Sequence, residues 1–161
     1  MNAYDEVPYS AAVHAQTHPE NLRLVAALLG LNPEVVRAAR VLEIGCANGT
    51  NLFPMAEAYP SAHFVGLDYS QIQIDQAENY KQALKLNNIE FHAIDVAAIP
   101  EAIRSNLGKF DYIICHGVFS WVEESVRLAI LHMIRNHLSS KGVAFLSYNC
   151  YPGWKVREIA R

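Results

Sequence analysis

The segment Glu43-Ile44-Gly45-Cys46-Ala47-Asn48-Gly49-Thr50-Asn51 joins a short β-prone run to a helical one. Small residues at 45, 47 and 49 let the backbone turn tightly and approach a ligand with little or no Cβ in the way. Nineteen residues after Gly49, Asp68 ends a second β-prone run. An acid at that separation can accept hydrogen bonds from both hydroxyls of a ribose. Asp95-Val96 follows a third such run. There a carboxylate can accept from an exocyclic amine while the next backbone N–H donates to a ring nitrogen. A lone strand-end acid is often only a helix cap or turn former. Three of them, at the ends of three successive strands and in register with a small-residue turn, describe an adenosine pocket. The spacing is not that of a dinucleotide fingerprint: counting from Gly45 and Ala47, the third small position would be Thr50, and the glycine falls at 49 instead.

These residues must be held by strands and helices in alternation. Pro19 to about Leu31 reads as a helix, with Leu22, Val25, Ala26 and Leu29 at helical spacing and Gly30 at its end. Asn32-Pro33-Glu34 reads as the capped start of a second, short helix. Strands are expected at Arg40–Ile44, His63–Leu67, Ile89–Ala93, Phe110–Cys115 and Gly142–Tyr148. Helices are expected at Asn51–Tyr59 and from Ser70 to about Leu86, the latter with Ile74, Ala77 and Leu84 inward. Val122, Val126, Ile130, Ile134 and Leu138 step by four, an apolar stripe for packing on a sheet. Strands alternating with helices imply right-handed crossovers and a parallel sheet covered on both faces. The expected fold is therefore α/β: a Rossmann-like, doubly wound parallel sheet in a three-layer α/β/α sandwich.

Composition narrows the partners. The chain has 161 residues, of which 52% are hydrophobic and 18% charged, which excludes intrinsic disorder. Thirteen Lys and Arg against sixteen Asp and Glu give −3, so no global basic face exists for nucleic acid. Cys46, Cys115 and Cys150 form no CxxC pair, and among the seven histidines only His14 and His18 stand at HxxxH spacing, in a segment without helical pattern, so no metal site is expected. No apolar run is long enough for a membrane span, and no signal-peptide core follows the N-terminus; a cytoplasmic protein with reduced thiols is expected. G-x-S-x-G does not occur.

With its acid and its period-two small residues, the first loop resembles that of the class I S-adenosylmethionine (SAM)-dependent methyltransferases, whose motif is an acid followed by Gly-x-Gly-x-Gly. Glu43, Gly45 and Gly49 match, while Ala47 departs from the middle glycine. The resemblance implies SAM as cofactor and S-adenosylhomocysteine (SAH) as product. Gly45, Cys46, Ala47, Asn48 and Gly49 would bracket the methionine part, Asp68 the ribose, and Asp95 with Val96 the adenine. Glu43, Asn51, Tyr69, His116, Gly117, Val118, Trp121 and Tyr9 complete the expected cofactor set. A closer resemblance covers nearly the whole chain. Tyr4-Asp5-Glu6-Val7-Pro8-Tyr9, Thr17-His18-Pro19, His116-Gly117-Val118-Phe119-Ser120-Trp121 and Tyr148-Asn149-Cys150-Tyr151-Pro152-Gly153-Trp154 are similar to one bacterial subgroup. In that subgroup a methyltransferase domain precedes a methyltransferase regulatory domain, and it includes protein-lysine methyltransferases; Cys150 stands where a small polar residue is expected.

On this reading, residues 1–35 form an N-terminal lid and helices, with Tyr4 and Tyr9 folding over the ligand, and residues 36–161 the SAM-binding core. His116, after the fourth strand, is the one candidate catalytic residue, able to orient or deprotonate a nucleophile. Phe119 and Trp121 wall the pocket or pack on the next helix. The fourth strand is followed by Cys115-His116-Gly117-Val118, without the Asp/Asn-Pro-Pro-aromatic signature of enzymes that methylate base amines. The complete family sheet has seven strands, and the thirteen residues after Tyr148 hold no helix plus hairpin. The chain is therefore expected to be a fragment lacking the last two strands, with an open edge strand available for self-pairing and an oligomeric state left open. Three functions are weighed: methyl transfer from SAM to an acceptor such as a protein lysine, a SAM-binding module inactive without a missing C-terminal region, and an NAD-dependent oxidoreductase.

Overall fold

A computed structural model describes residues 12–155. Five strands, β1 (Arg40–Ile44), β2 (His63–Asp68), β3 (Ile89–Ala93), β4 (Phe110–Cys115) and β5 (Leu138–Leu146), form one parallel sheet in the order β3-β2-β1-β4-β5. The order reverses on either side of β1, so the crevice between the β1 and β4 ends is the switch point at which such sheets bind ligands. Among the described residues five helices connect and flank the strands: α1 (Pro19–Leu28), α2 (Phe53–Ala58), α3 (Gln71–Leu84), α4 (Glu101–Leu107) and α5 (Glu124–His137). Among the described residues no helix is long and apolar enough to cross a membrane.

Alternation along the strands builds two cores. Val41, Phe64, Ile89, Phe91, Tyr112 and Ile114 point to one face, where Leu22 of α1, Phe53 and Met55 of α2, and Ile74 and Ala77 of α3 cover them. Leu42, Ile44, Val65, Leu67 and Ile113 point to the other, beneath Leu107 of α4 and Ile130 and Met133 of α5. Both faces are dry, which is why these strands read as near-continuous apolar runs. The stripe expected on the last helix is there: Val126, Ile130 and Ile134 lie within α5, while Val122 precedes it and Leu138 begins β5.

The structure corrects several expectations. No helix begins at Asn32-Pro33-Glu34; the chain makes only a 3-10 turn at Val36–Ala38. The α2 helix starts two residues late, at Phe53, because the Gly49 turn extends to Leu52. The α4 helix has no counterpart among the expected elements, since seven residues with few apolar positions give almost no periodicity, although Pro100 opens it and Gly108 closes it at φ +66. On α1, Leu22 and Ala26 are buried as expected, but Val25 is 56% and Leu29 77% exposed. Leu84, expected inward, is 51% exposed at the last turn of α3. The β5 strand starts at Leu138 rather than Gly142, and its register slips between Phe110 and Tyr112 before pairing regularly from Val143.

Candidate functional site

The Glu43–Asn51 loop is shaped by backbone constraints. Gly45 N donates to Leu67 O at 2.8 Å and Cys46 N to the same carbonyl at 3.1 Å, carrying the β1–β2 pairing past the strand end. Gly45 sits at φ +78, and a Cβ there would stand 2.3 Å from Val118 Cγ2. Gly49 sits at φ +79, and its Cβ would meet Phe91 Cζ at 2.6 Å and Phe53 Cε2 at 3.0 Å. Neither position admits a side chain without displacement. Ala47 also has a left-handed backbone, φ +48, which costs an alanine roughly 1–2 kcal/mol. Its N–H donates to Asp68 Oδ2 at 2.8 Å, so the strained turn is tied to the β2 tip. Asn48 Oδ1 accepts from Thr50 N at 3.3 Å and Thr50 Oγ1 at 2.7 Å, closing the turn locally. Cys46 is buried and burial pushes its thiol well above the ordinary range, so it is an inert packing residue.

Glu43 is the exceptional group. It lies on β1, buried on the α2 face of the sheet. Its Oε1 accepts from Asn51 Nδ2 at 2.8 Å, while its Oε2 is buried with no hydrogen-bond partner. Desolvation pushes its carboxyl up to about 7, opposed by the Asn51 bond and reinforced by the nearby Asp68 charge. A buried carboxylate oxygen without a donor costs about 1–3 kcal/mol or more, and aims a site at a cationic donor.

Asp68 caps the β2 end. Oδ1 accepts from Ser70 N at 2.9 Å and Oδ2 from Ala47 N, which fixes the carboxylate while leaving each oxygen a further lone pair. Tyr69 beside it is 54% exposed. Ile94 N donates to Asp68 O at 2.7 Å, joining the β2 and β3 tips. Asp95 is exposed, its Oδ1 accepting from Ala97 N at 2.8 Å, and Val96 starts the short turn that follows.

Across the switch point, His116 follows β4. Its ring lies 4.1 Å from the ring of His14 and 6.0 Å from Phe145, stacked at 22° on the latter. Gln16 Nε2 is 3.3 Å from His116 Nε2. Desolvation, then the adjacent His14, holds the His116 imidazole below its ordinary value, so it is neutral at physiological pH. Gly117 N donates to Ser147 Oγ at 2.8 Å, and a Cβ on Gly117 would meet nothing within 4 Å. Val118 packs against Gly45. Trp121 is 43% exposed and makes an edge-to-face pair with Trp154 at 5.8 Å.

The described structure thus gathers Glu43 bonded to Asn51, Ala47 bonded to Asp68 and Gly45 bonded to Leu67 on one loop, with Val118 against it and Asp95 and Val96 on the neighbouring strand tip. Tyr4 and Tyr9 lie outside the described residues. Sequence reasoning alone misses His14, Gln16 and Thr17 as members of this end of the sheet. His14 N donates to Asn51 Oδ1 at 2.9 Å, and Asn51 Nδ2 donates to the buried Thr17 Oγ1 at 3.0 Å as well as to Glu43. A non-periodic segment carries no signal for contacts 34 and 37 residues away.

Known proteins share this geometry. A family model described as a methyltransferase domain matches residues 36–158. Two Rickettsia prowazekii proteins, RP789 and RP028, are 48% and 40% identical over 99% of this chain, which spans 28% and 62% of their respective lengths. The structure of PKMT2 from Rickettsia typhi has a TM-score of 0.87 and 40% identity, covering 94% of this chain and 29% of that one. In complex with AdoHcy the same protein matches with a TM-score of 0.85. The match over residues 36–158 spans the loop, both acidic strand tips and all five strands, and on it the chain belongs to the methyltransferase-domain family, the class I SAM-dependent methyltransferases.

Proposed function

We propose that this chain binds SAM at the β1–β4 switch point and takes part in transferring its methyl group to a nucleophilic acceptor, the amine of a protein lysine. The observation that carries the reading is Glu43 Oε2: a buried carboxylate oxygen with no donor, beside a loop whose glycines hold a left-handed turn. The methionine part of SAM offers the missing ammonium donor. The left-handed Gly45–Gly49 turn would take the chain of the amino acid, Asp68 would accept from the ribose hydroxyls, and Asp95 with the Val96 N–H would read the adenine edge. When bound, the sulfonium supplies the activated methyl and its own leaving group.

The protein's own contribution is positioning, exclusion of water and management of the acceptor's proton. The neutral His116 ring, at the acceptor side, suits proton management. It can accept a proton from an acceptor ammonium and free the lone pair that attacks the methyl carbon. The lysine assignment rests on the resemblance of the His116–Trp121 and Tyr148–Trp154 segments to the protein-lysine methyltransferase subgroup. The acidic balance of the chain, −3, supports a protein acceptor over a nucleic acid.

The test is transfer of labelled methyl from SAM to protein acceptors, followed by hydrolysis and amino-acid analysis. Label recovered as methyl-lysine, and lost in His116→Ala, is expected. Label on another amino acid would overturn the lysine assignment. SAM binding with no label transferred would make this chain a cofactor-binding module.

A further inference from the structure

Residues 14–17 are fastened to the glycine-rich loop by a single carboxamide. Asn51 Oδ1 accepts from the His14 backbone N–H, while its Nδ2 donates both to Thr17 Oγ1 and to Glu43 Oε1. Thr17 is fully buried and its hydroxyl donates back to His14 O at 2.8 Å, so the segment is locked into one 3-10 turn. The turn presents two side chains to the acceptor side, with His14 against the His116 ring and Gln16 at its Nε2. The other face of His116 rests on Phe145 of β5. His116 is therefore held between the sheet edge and a segment that Asn51 ties to the glycine-rich loop.

We propose that residues 14–17 are part of the functional site, with Asn51 as a positioning residue that couples cofactor engagement at Glu43 to the seating of His14 and Gln16 on the acceptor wall. The inference rests on the cofactor reading above. Physically, an ammonium that takes up the orphaned Glu43 Oε2 fixes the carboxylate, which fixes the Asn51 carboxamide and with it the two bonds that hold the segment. A bound cofactor thereby tightens the acceptor wall, which favours binding of cofactor before acceptor.

The experiment is hydrogen exchange at the His14 amide, itself the donor to Asn51, with and without saturating SAH, alongside calorimetry of SAH binding. Wild type is expected to show at least a tenfold slowing of exchange at His14 on adding SAH. In Asn51→Leu, brought to saturation at whatever SAH concentration it needs, the slowing is expected to vanish. Thr17→Val, which cuts only the far tie, should keep part of it. A second readout separates coupling from mere structural support. Among the described residues the ionisable groups around Glu43 are Asp68 and the thiols of Cys46 and Cys115, and of these interactions only the Asn51 bond favours its ionised form. SAH affinity should rise with pH through about 7 in wild type, and the midpoint should move upward in Asn51→Leu. Exchange at His14 that ignores SAH in wild type, or slows equally in Asn51→Leu, overturns the coupling while SAH binding itself stands. Failure of SAH to bind wild type would instead overturn the cofactor reading.

Discussion

The β1–β2 side and the β4–β5 side of the switch point are built on different principles. On the first, every backbone turn is over-determined: Gly45 and Gly49 admit no Cβ, Ala47 is tied to Asp68, and Glu43 is buried under Asn51. On the second, Gly117 has open space where a Cβ would go, and Trp121 is 43% and Tyr148 64% exposed. Rigidity is placed where an invariant ligand would sit, and openness where the acceptor, which differs from enzyme to enzyme, would arrive. The His14–Gln16 turn bridges the two sides.

Substitutions should break this contrast unequally. The largest effect is expected for Gly45→Ala, which adds a 2.3 Å clash with Val118 to a left-handed backbone. Overpacking and strain together should cost the fold about 3 kcal/mol or more, read as a lower denaturation midpoint, and the displaced turn should weaken SAH binding in calorimetry. Glu43→Gln should separate stability from binding. The Glu43 carboxyl is raised from 4.5 to about 7 in the fold. Its stabilising contribution is thus fully present below pH 4.5 and is lost as pH rises through 7. At pH 8 the glutamine variant should be more stable than wild type by about 3 kcal/mol, seen as a higher Tm, while SAH affinity falls at least tenfold.

Asp68→Ala should cost about 1.5–3 kcal/mol, or tenfold to a hundredfold in SAH affinity, through loss of charge-assisted bonds to the ribose. Ala47→Gly should stabilise the fold by about 1 kcal/mol, because glycine relieves the φ +48 strain, measured as a shift in denaturation midpoint. The smallest effect is expected at Gly117→Ala: a φ of +72 costs the fold about 1 kcal/mol, but SAH affinity should stay within about threefold. A Gly117→Ala loss as large as that of Gly45→Ala would erase the contrast between the two sides.

Much of this is legible in the sequence because the residues concerned act locally. The strands β1 to β4 have the spans expected to within a residue, since fully buried parallel strands announce themselves as apolar runs. Asp68 and Asp95 are readable because a strand end is a fixed address in this fold. The α4 helix is not, being too short for period to emerge. Val25 and Leu29 mislead because apolar residues at helical spacing say nothing of which face meets the core. The bonds from His14 and Thr17 to Asn51 are invisible, since tertiary contacts between an aperiodic turn and a distant loop leave no pattern in either segment. Asn51 reads from the sequence as the start of a helix and a member of the expected cofactor set, and only the folded chain shows that it joins Glu43 to the N-terminal turn.

The most direct test of the cofactor site is calorimetric titration of the whole chain with SAH at pH 8, where Glu43 is ionised, with NAD titrated in parallel. Saturable 1:1 binding of SAH, unaffected by excess NAD, is predicted. A cooperatively folded chain that ignores SAH, or that binds NAD in its place, would contradict the account.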